Sequence, residues 1–403
     1  MIIERSSGIL LHITSLPGKY GIGTLGDEAY EFVNKIKQAG IKYWQILPIG
    51  PVNPALGFSP YASSSTFAGN YLFISLEKLK NDFLQELEID TYTFKEDHFV
   101  DFENVISHKK QILKNAYKLF FQKNNNHHID SYNIFCEQNA FWLNDFALFS
   151  TLAEINKTDN WIQWKTTIKK NDKKSIDHFI EKHKNQIEYF KFVQFIFFVQ
   201  WSHLKHHCNS MGIKIIGDIP IYITYESADA WSHPEILQLD KNLKPISVAG
   251  VPPDYFSATG QRWGSPLYKW FKGKNQKALN KPTIRWWFNR IEHLEKFMDI
   301  IRIDHFRGFE SYWSIPEYEP TAINGSWVKG PNIDFFHKLE KKLGRLPLIA
   351  EDLGIITPEV EKLRDNLQLP GMKILHFAFD YNNKNAYLPN NISNPNCILY
   401  TGT

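Results

Sequence analysis

Two short apolar runs in this chain end in carboxylates at positions suited to nucleophilic and acid–base chemistry. In Ile300-Ile301-Arg302-Ile303-Asp304-His305-Phe306-Arg307-Gly308, a buried strand runs into Asp304, with Arg302 two residues earlier. Strand side chains alternate between faces, so this guanidinium lies on the face of the carboxylate and stabilises its charged form. An ionised, oriented carboxylate is a fit nucleophile. The run Leu346-Pro347-Leu348-Ile349-Ala350-Glu351-Asp352-Leu353-Gly354 also finishes in carboxylates. Glu351 emerges from apolar surroundings and is repelled by Asp304, and both effects keep it protonated as an acid. Two carboxyl groups with pKa values pushed apart are what cleavage of a glycosidic bond requires. Asp218, in Gly217-Asp218-Ile219-Pro220, is a third strand-end carboxylate. Its residue type reads equally as a structural hydrogen-bonding group and as a sugar contact.

Positioning these groups takes a particular order of elements. Apolar runs bounded by turn residues recur at Gly8 to His12, Tyr43 to Ile49, Lys214 to Ile221, Asp299 to Asp304, Leu346 to Asp352, Lys373 to Phe379 and Cys397 to Thr401. They read as buried parallel strands. Helical patterns lie between several of them, among them Gly26 to Ala39, stopped by Gly40, and Pro358 to Asn366. Alternating strands and helices, with reactive residues at the C-terminal strand ends, imply a (β/α)8 TIM barrel, whose active sites occupy that face. Strand-end carboxylates elsewhere cap helices or pair with arginine. Their location on this face sets the catalytic reading of Asp304 and Glu351 ahead of that one. Two connections are long. Residues 51–212 contain helix-like segments at His108 to Gln122, Asn139 to Glu154 and Ile176 to Trp201, which imply an inserted, mainly helical subdomain. Residues 222–298 are rich in Pro, Gly and Trp and read as a region covering the active site.

Composition excludes several other functions. In 403 residues, 46 Lys+Arg stand against 43 Asp+Glu with no long basic block, which argues against nucleic acid as a partner. The most apolar stretch, Phe190 to Trp201, is interrupted by Lys191, Gln194 and Gln200 and is too short to span a membrane. The three cysteines, Cys136, Cys208 and Cys397, have no metal-ligand spacing and fit a reducing, cytoplasmic setting. His203, His206 and His207 share one helical stretch but read as chance surface histidines rather than a metal site. No Gly-rich phosphate loop or Gly-x-Ser-x-Gly elbow is present in the sequence. Aromatic residues make up 15% of the chain, a supply suited to stacking on sugar rings as well as to packing.

Several ordered blocks complete the pattern: Ser6-Ser7-Gly8-Ile9-Leu10-Leu11-His12 followed by Thr14-Ser15-Leu16-Pro17, Gln45-Ile46-Leu47-Pro48, Ser59-Pro60-Tyr61-Ala62-Ser63, Gly217-Asp218-Ile219-Pro220-Ile221-Tyr222 and Gly250-Val251-Pro252-Pro253-Asp254-Tyr255-Phe256. With the Asp304 and Glu351 segments, they closely resemble glycoside hydrolase family 77 of the α-amylase superfamily, the 4-α-glucanotransferases, from about Gly8 to Thr403. The resemblance puts Asp304 at the family's nucleophile and Glu351 at its general acid/base, in agreement with the reading above. It implies that Arg302 orients the nucleophile and that Asp218, His305 and Asp352 line donor sugar subsites. Tyr61, Asp254, Tyr255, Phe256 and Trp263 match family positions that cover or contact the glucan. For Phe256, a buried aromatic in a packed loop is an equal reading. The resemblance further implies α-1,4-glucans and maltooligosaccharides as donor and acceptor, with no metal or organic cofactor.

The family continues beyond Tyr400-Thr401-Gly402-Thr403 into a His-Asp-Asn triplet that carries a third catalytic carboxylate, then an eighth strand and final helix. The expected fold of this chain is therefore a TIM barrel with large helical insertions, lacking that last strand and helix. The expected activity is transfer of an α-1,4-glucan segment to the 4-hydroxyl of glucose or another glucan by a retaining double displacement. The alternatives are a glucan hydrolase of the same superfamily and an inactive or weakly glucan-binding fragment that lacks the third aspartate.

Overall fold

The computed structural model describes residues 5–90, 99–123, 125–254, 257–273, 278–380, 382–392 and 394–402. Eleven strands follow one another along these residues: β1 (Gly8–Leu10), β2 (Tyr43–Gln45), β3 (Lys214–Pro220), β4 (Ser247–Val251), β5 (Gln261–Pro266), β6 (Ile300–Asp304), β7 (Ser311–Pro316), β8 (Ser326–Lys329), β9 (Leu348–Ala350), β10 (Gly371–Ile374) and β11 (Cys397–Tyr400). All seven apolar runs of the sequence contain or overlap one of them. β1, β2, β3, β6 and β9 form a parallel sheet in that order, and β10 and β11 form a parallel pair. The pair continues the curve, because the Ala350 amide donates to the Pro370 carbonyl at 2.9 Å. From β11, the Tyr400 hydroxyl reaches across to Gln45 Oε1 on β2 at 2.6 Å. The seven strands thus wrap a shared interior as a β/α barrel.

Alternation along the strands sorts side chains between that interior and the helices. Ile216, Ile300, Ile349, Met372 and Ile374 pack together, with Tyr43, Ile398 and Tyr400 against them. Ile215, Ile301, Ile303, Leu348 and Ala350, at the alternate positions of the same strands, belong instead to the large core shared with the helices. On β6 the inward set is Ile300, Arg302 and Asp304, so the period of two delivers the charged pair to the barrel's interior.

The helices include α1 (Asp27–Gln38), with Ala29, Val33 and Ile36 buried, acidic Asp27 and Glu28 in its first turn, and Lys35 and Lys37 in its last. These charges complement the helix dipole, and Gly40, at φ +75°, ends the turn in a conformation that suits glycine. Between β2 and β3 lie α2 (Leu76–Asp82), α3 (Phe102–Lys123), α4 (Asn126–Gln138), α5 (Ala140–Asn156), α6 (Thr166–Lys169), α7 (Lys173–Lys182) and α8 (Lys184–Ser210). The expected helix from Ile176 to Trp201 is two helices broken at His183. Leu113 and Phe192 of this insertion share one core with Ile215 and Ile301 of the barrel.

The polar interruptions of α8 have definite partners. The Gln194 side chain bonds both the amide and the carbonyl of Gly69, at 2.7 and 2.9 Å, and Gln200 does the same for Ser75, at 2.8 and 2.9 Å. Each amide thereby satisfies two buried backbone groups of a segment outside any sheet. Among the described residues, no helix is long and apolar enough to cross a membrane.

Residues 222–298 hold more regular structure than a covering loop: α9 (Ala228–Ser232), β4, β5 and α10 (Lys281–Glu295). β4 and β5 join β7 and β8 in a four-stranded antiparallel sheet of order β5-β4-β7-β8. The remaining helices are α11 (Asn332–Leu343) and α12 (Pro358–Asn366).

α10 anchors the end of β3 through Arg290, which is 1% exposed. Its Nη2 donates to the Pro220 carbonyl at 2.8 Å, and its guanidinium carbon lies 4.8 Å from the Trp287 ring centre. Arg290→Met removes a charged donor from buried carbonyls and is expected to lower stability by about 2–4 kcal/mol. Urea denaturation checks this, and a change below about 0.5 kcal/mol would contradict the anchor.

Candidate active site

The C-terminal ends of β3, β6 and β9 bring the charged residues together. Register pairs Asp218 with Arg302 and Pro220 with Asp304, while Arg302 also lies beside Ile349. Arg302 Nη1 sits 2.7 Å from Asp218 Oδ1 and 3.0 Å from Asp304 Oδ1, and its Nε points to Met372 Sδ at 3.2 Å. Asp218 in turn accepts from the Tyr61 hydroxyl at 2.7 Å. Its side chain is only 1% exposed, whereas that of Asp304 is 32% exposed. Of the two carboxylates on Arg302, Asp304 is therefore the one open to a ligand. Asp218 braces the arginine.

Glu351 directly follows β9 and shares the inward parity of Ile349. Its Oε2 accepts from the His305 amide at 2.7 Å and its Oε1 from the Leu353 amide at 2.8 Å. The backbone is locked to β6 as well, with the Glu351 amide donating to the Ile303 carbonyl at 3.0 Å and the Phe306 amide to the Glu351 carbonyl at 3.1 Å. His305 takes a left-handed conformation, φ +55°. A left-handed non-glycine residue is a locally strained arrangement of the kind that clusters at functional sites.

Burial dominates the electrostatics. It pushes the Glu351 carboxyl up to about 7, with the charge of Asp304 adding to the rise and Arg302 opposing it. Burial also lifts Asp218 to about 6 and raises Asp304 above the usual carboxylate range, with Arg302 pulling both back. Arg302 thus does favour the ionised form of Asp304, as its spacing predicts, but it does not fully offset desolvation. Burial, helped by the charge of Arg307, drives His305 down to about 3. Its imidazole is neutral near pH 7, and its buried Nε2 has no hydrogen-bond partner.

Asp304 and His305 line a cleft of about 780 Å³, together with Tyr61 and Trp263. This is the size of a small-ligand site. Trp263, on β5, is 40% exposed and meets the His305 ring edge-on at a centroid distance of 4.8 Å. The antiparallel sheet thus supplies an aromatic wall to the cleft that Asp304 lines. Tyr222, Tyr225 and Arg262 also line the cleft and were not singled out for this role by sequence. The signal for Tyr222 was its place just beyond the third strand. Met372 had no such signal, because its contact with Arg302 joins residues far apart in the chain.

Two residues expected at the sugar, Asp352 and Asp254, hold contacts within the protein. Asp352 is 2% exposed at its side chain, and its carboxylate is taken up by Arg364 of α12 and by the Met372 amide, the latter at 2.7 Å. It has the opposite parity to Glu351, and its contacts tie β9 to β10 and α12. Asp254 organises its own loop, with Oδ1 accepting from the Ser257 amide at 2.8 Å and its amide donating to the Ser257 carbonyl at 3.0 Å. Tyr255 and Phe256 lie outside the described residues. Among the described residues, no group of three or more His, Cys, Asp or Glu is arranged to hold a metal ion. His207 packs its ring 4.9 Å from that of Tyr30.

A family model described as 4-alpha-glucanotransferase, glycoside hydrolase family 77, matches residues 11–403. The chain is 42% identical over 400 residues to a 4-alpha-glucanotransferase of Aquifex aeolicus, covering 99% of this chain and 79% of that one. It is 43% identical over 404 residues to a 4-alpha-glucanotransferase of Thermus thermophilus, covering 100% and 79% respectively. Its backbone superposes on that of an amylomaltase from Streptococcus agalactiae in complex with acarbose with a TM-score of 0.89 at 36% identity, covering 99% of this chain and 79% of that chain.

Proposed function

The chain belongs to the 4-α-glucanotransferase family, glycoside hydrolase family 77, and on that premise we propose that Asp304 and Glu351 carry out glucan transfer in two displacements. The Asp304 carboxylate attacks the anomeric carbon of an α-1,4-glucan while Glu351 gives its proton to the departing glycosidic oxygen. A β-linked glycosyl ester on Asp304 results. Glu351, now a base, takes the proton of an acceptor's 4-hydroxyl, whose oxygen attacks the same carbon and releases Asp304. Two inversions restore the α-linkage.

One observation carries this reading. The half-buried carboxylate held by Arg302 stands one strand away from a buried carboxyl, fixed by two amide donors, whose pKa near 7 suits a group that must both give and take a proton. Arg302 keeps Asp304 oriented, and Asp218 and Tyr61 keep Arg302 oriented. The neutral His305, with its unpaired Nε2, is suited to bonding a sugar hydroxyl. The family's glucans and maltooligosaccharides are the proposed donors and acceptors. A cytoplasmic location belongs to the proposal too, supported by the free thiols of Cys136, Cys208 and Cys397.

Incubation with maltotriose tests the reaction. Glucose together with a ladder of longer maltooligosaccharides is expected, and products exclusively shorter than maltotriose would contradict transfer. Transfer rather than hydrolysis requires an acceptor sugar to displace water from the intermediate, a task suited to the exposed ring of Trp263. Trp263→Ala is expected to raise KM for maltotriose roughly tenfold through lost stacking and to increase the share of hydrolysis. Initial-rate assays with product chromatography check both effects. An unchanged KM and product ratio would remove Trp263 from the acceptor wall.

A further inference from the structure

The two chain segments that wall the cleft also wall a second cavity. Tyr61 and Ala62 line the cleft, while Ser65 and Phe67 line a separate cavity of about 480 Å³. Tyr222, Thr224, Tyr225 and Glu226 contribute to the cleft in the same way, and the stretch beginning at Ala228 contributes to the cavity. The partition between the two is stitched together from both segments. The Thr66 amide donates to Asp229 Oδ2 at 2.9 Å, the Thr66 hydroxyl to Oδ1 at 3.1 Å, and the Ala228 amide to the Ser64 carbonyl at 2.9 Å. The opposite wall comes from α5, through Phe141 and Asp145, and from α10, through Lys281, Arg285 and Asn289.

This lining favours no ion. Three acidic residues, Asp145, Asp229 and Glu235, face three basic ones, His233, Lys281 and Arg285. Asp229 is engaged by Thr66, and His233 pairs with Glu235 at 3.2 Å. What remains is a dense mixture of donors and acceptors beside an open aromatic face. Phe141 is 41% exposed and stands perpendicular to Phe67, with ring centroids 5.6 Å apart. A neutral polyhydroxylated ring matches this chemistry, because its hydroxyls both donate and accept while its C–H face stacks on an arene.

We propose that this cavity is a second saccharide site, distinct from the catalytic cleft, that takes glucose or a short α-1,4-glucan. The choice of sugar rests on the function proposed above. An occupant braces the partition that bears Tyr61, so its binding is coupled to the Tyr61–Asp218–Arg302 chain of contacts, and the coupling acts equally in both directions.

The test uses the Asp304→Asn protein, whose turnover is expected to be too slow to disturb a titration, with maltotriose as the probe in titration calorimetry. Two binding events are expected. Phe141→Ala and Arg285→Ala replace exposed side chains, and each should weaken one event about tenfold or more while sparing the other. Trp263→Ala should do the reverse. A single event that responds to Trp263→Ala and not to Phe141→Ala would overturn the second site and leave the proposed function standing. No maltotriose binding at all would overturn the proposed function, and with it the choice of a sugar as occupant.

Discussion

Asp304→Asn is expected to leave the site's shape intact and to reduce maltotriose disproportionation by roughly 10⁴- to 10⁶-fold. Asparagine keeps the volume and can still accept from Arg302, but it has no anion with which to form the glycosyl ester. Arg302 retains its shorter contact, 2.7 Å to Asp218, so the guanidinium stays in place. The loss should therefore fall on kcat, with maltotriose affinity changed by less than about tenfold. Stability should shift little, because the substitution also removes one of several carboxylates crowded around a single arginine. Circular dichroism and calorimetric binding separate chemistry from folding. A variant retaining transfer within about tenfold of the unsubstituted protein would exclude Asp304 as nucleophile.

Glu351→Gln should lower transfer by roughly 10²- to 10⁴-fold and erase the basic limb of the pH profile. The direction follows from the role: the first displacement needs Glu351 protonated. Burial, reinforced by Asp304, lifts this carboxyl to about 7, so kcat/KM should be high below that value and fall as pH rises through it. Glutamine cannot titrate, and the residual activity of the variant should be flat across the same range. It can still accept an amide hydrogen bond from one of the two donors, His305 or Leu353, so local structure persists. Initial rates between pH 5 and 9, the span that brackets the shifted value, check the profile. A basic limb that survives in Glu351→Gln would assign the titration to another group.

The barrel strands and the placement of Asp304 and Glu351 at their C-terminal ends were legible because both depend on short-range regularities. Ile300, Arg302 and Asp304 fall on one face by simple alternation, and the turn-bounded apolar runs around them mark strand after strand. Asp352 shows the reach of the same rule. Its parity is opposite to that of Glu351, and its carboxylate joins Arg364 and the Met372 amide rather than the cleft.

The antiparallel sheet was not legible. Its strands are short, interrupted by Gly250, Gly264 and Pro266, and paired out of sequence order, so residues 222–298 read as a loop. Its registration is fixed by contacts such as the Trp313–Trp327 cross-strand pair, with ring centroids 5.1 Å apart, which no local pattern announces. The glutamines of α8 are similar. Sequence marks Gln194 and Gln200 as interruptions of an apolar helix, but the backbone groups they satisfy at Gly69 and Ser75 lie 125 residues away.

Double displacement itself is tested most directly by trapping its intermediate. The Glu351→Gln protein is mixed with α-glucosyl fluoride, whose leaving group needs no proton, so the first displacement proceeds while the second lacks its base. Peptide mass spectrometry should then find one glucosyl unit on the peptide containing Asp304, at the Asp304 carboxylate. Glucosylation at Asp218 or any other carboxylate, with Asp304 unmodified, would contradict the assignment.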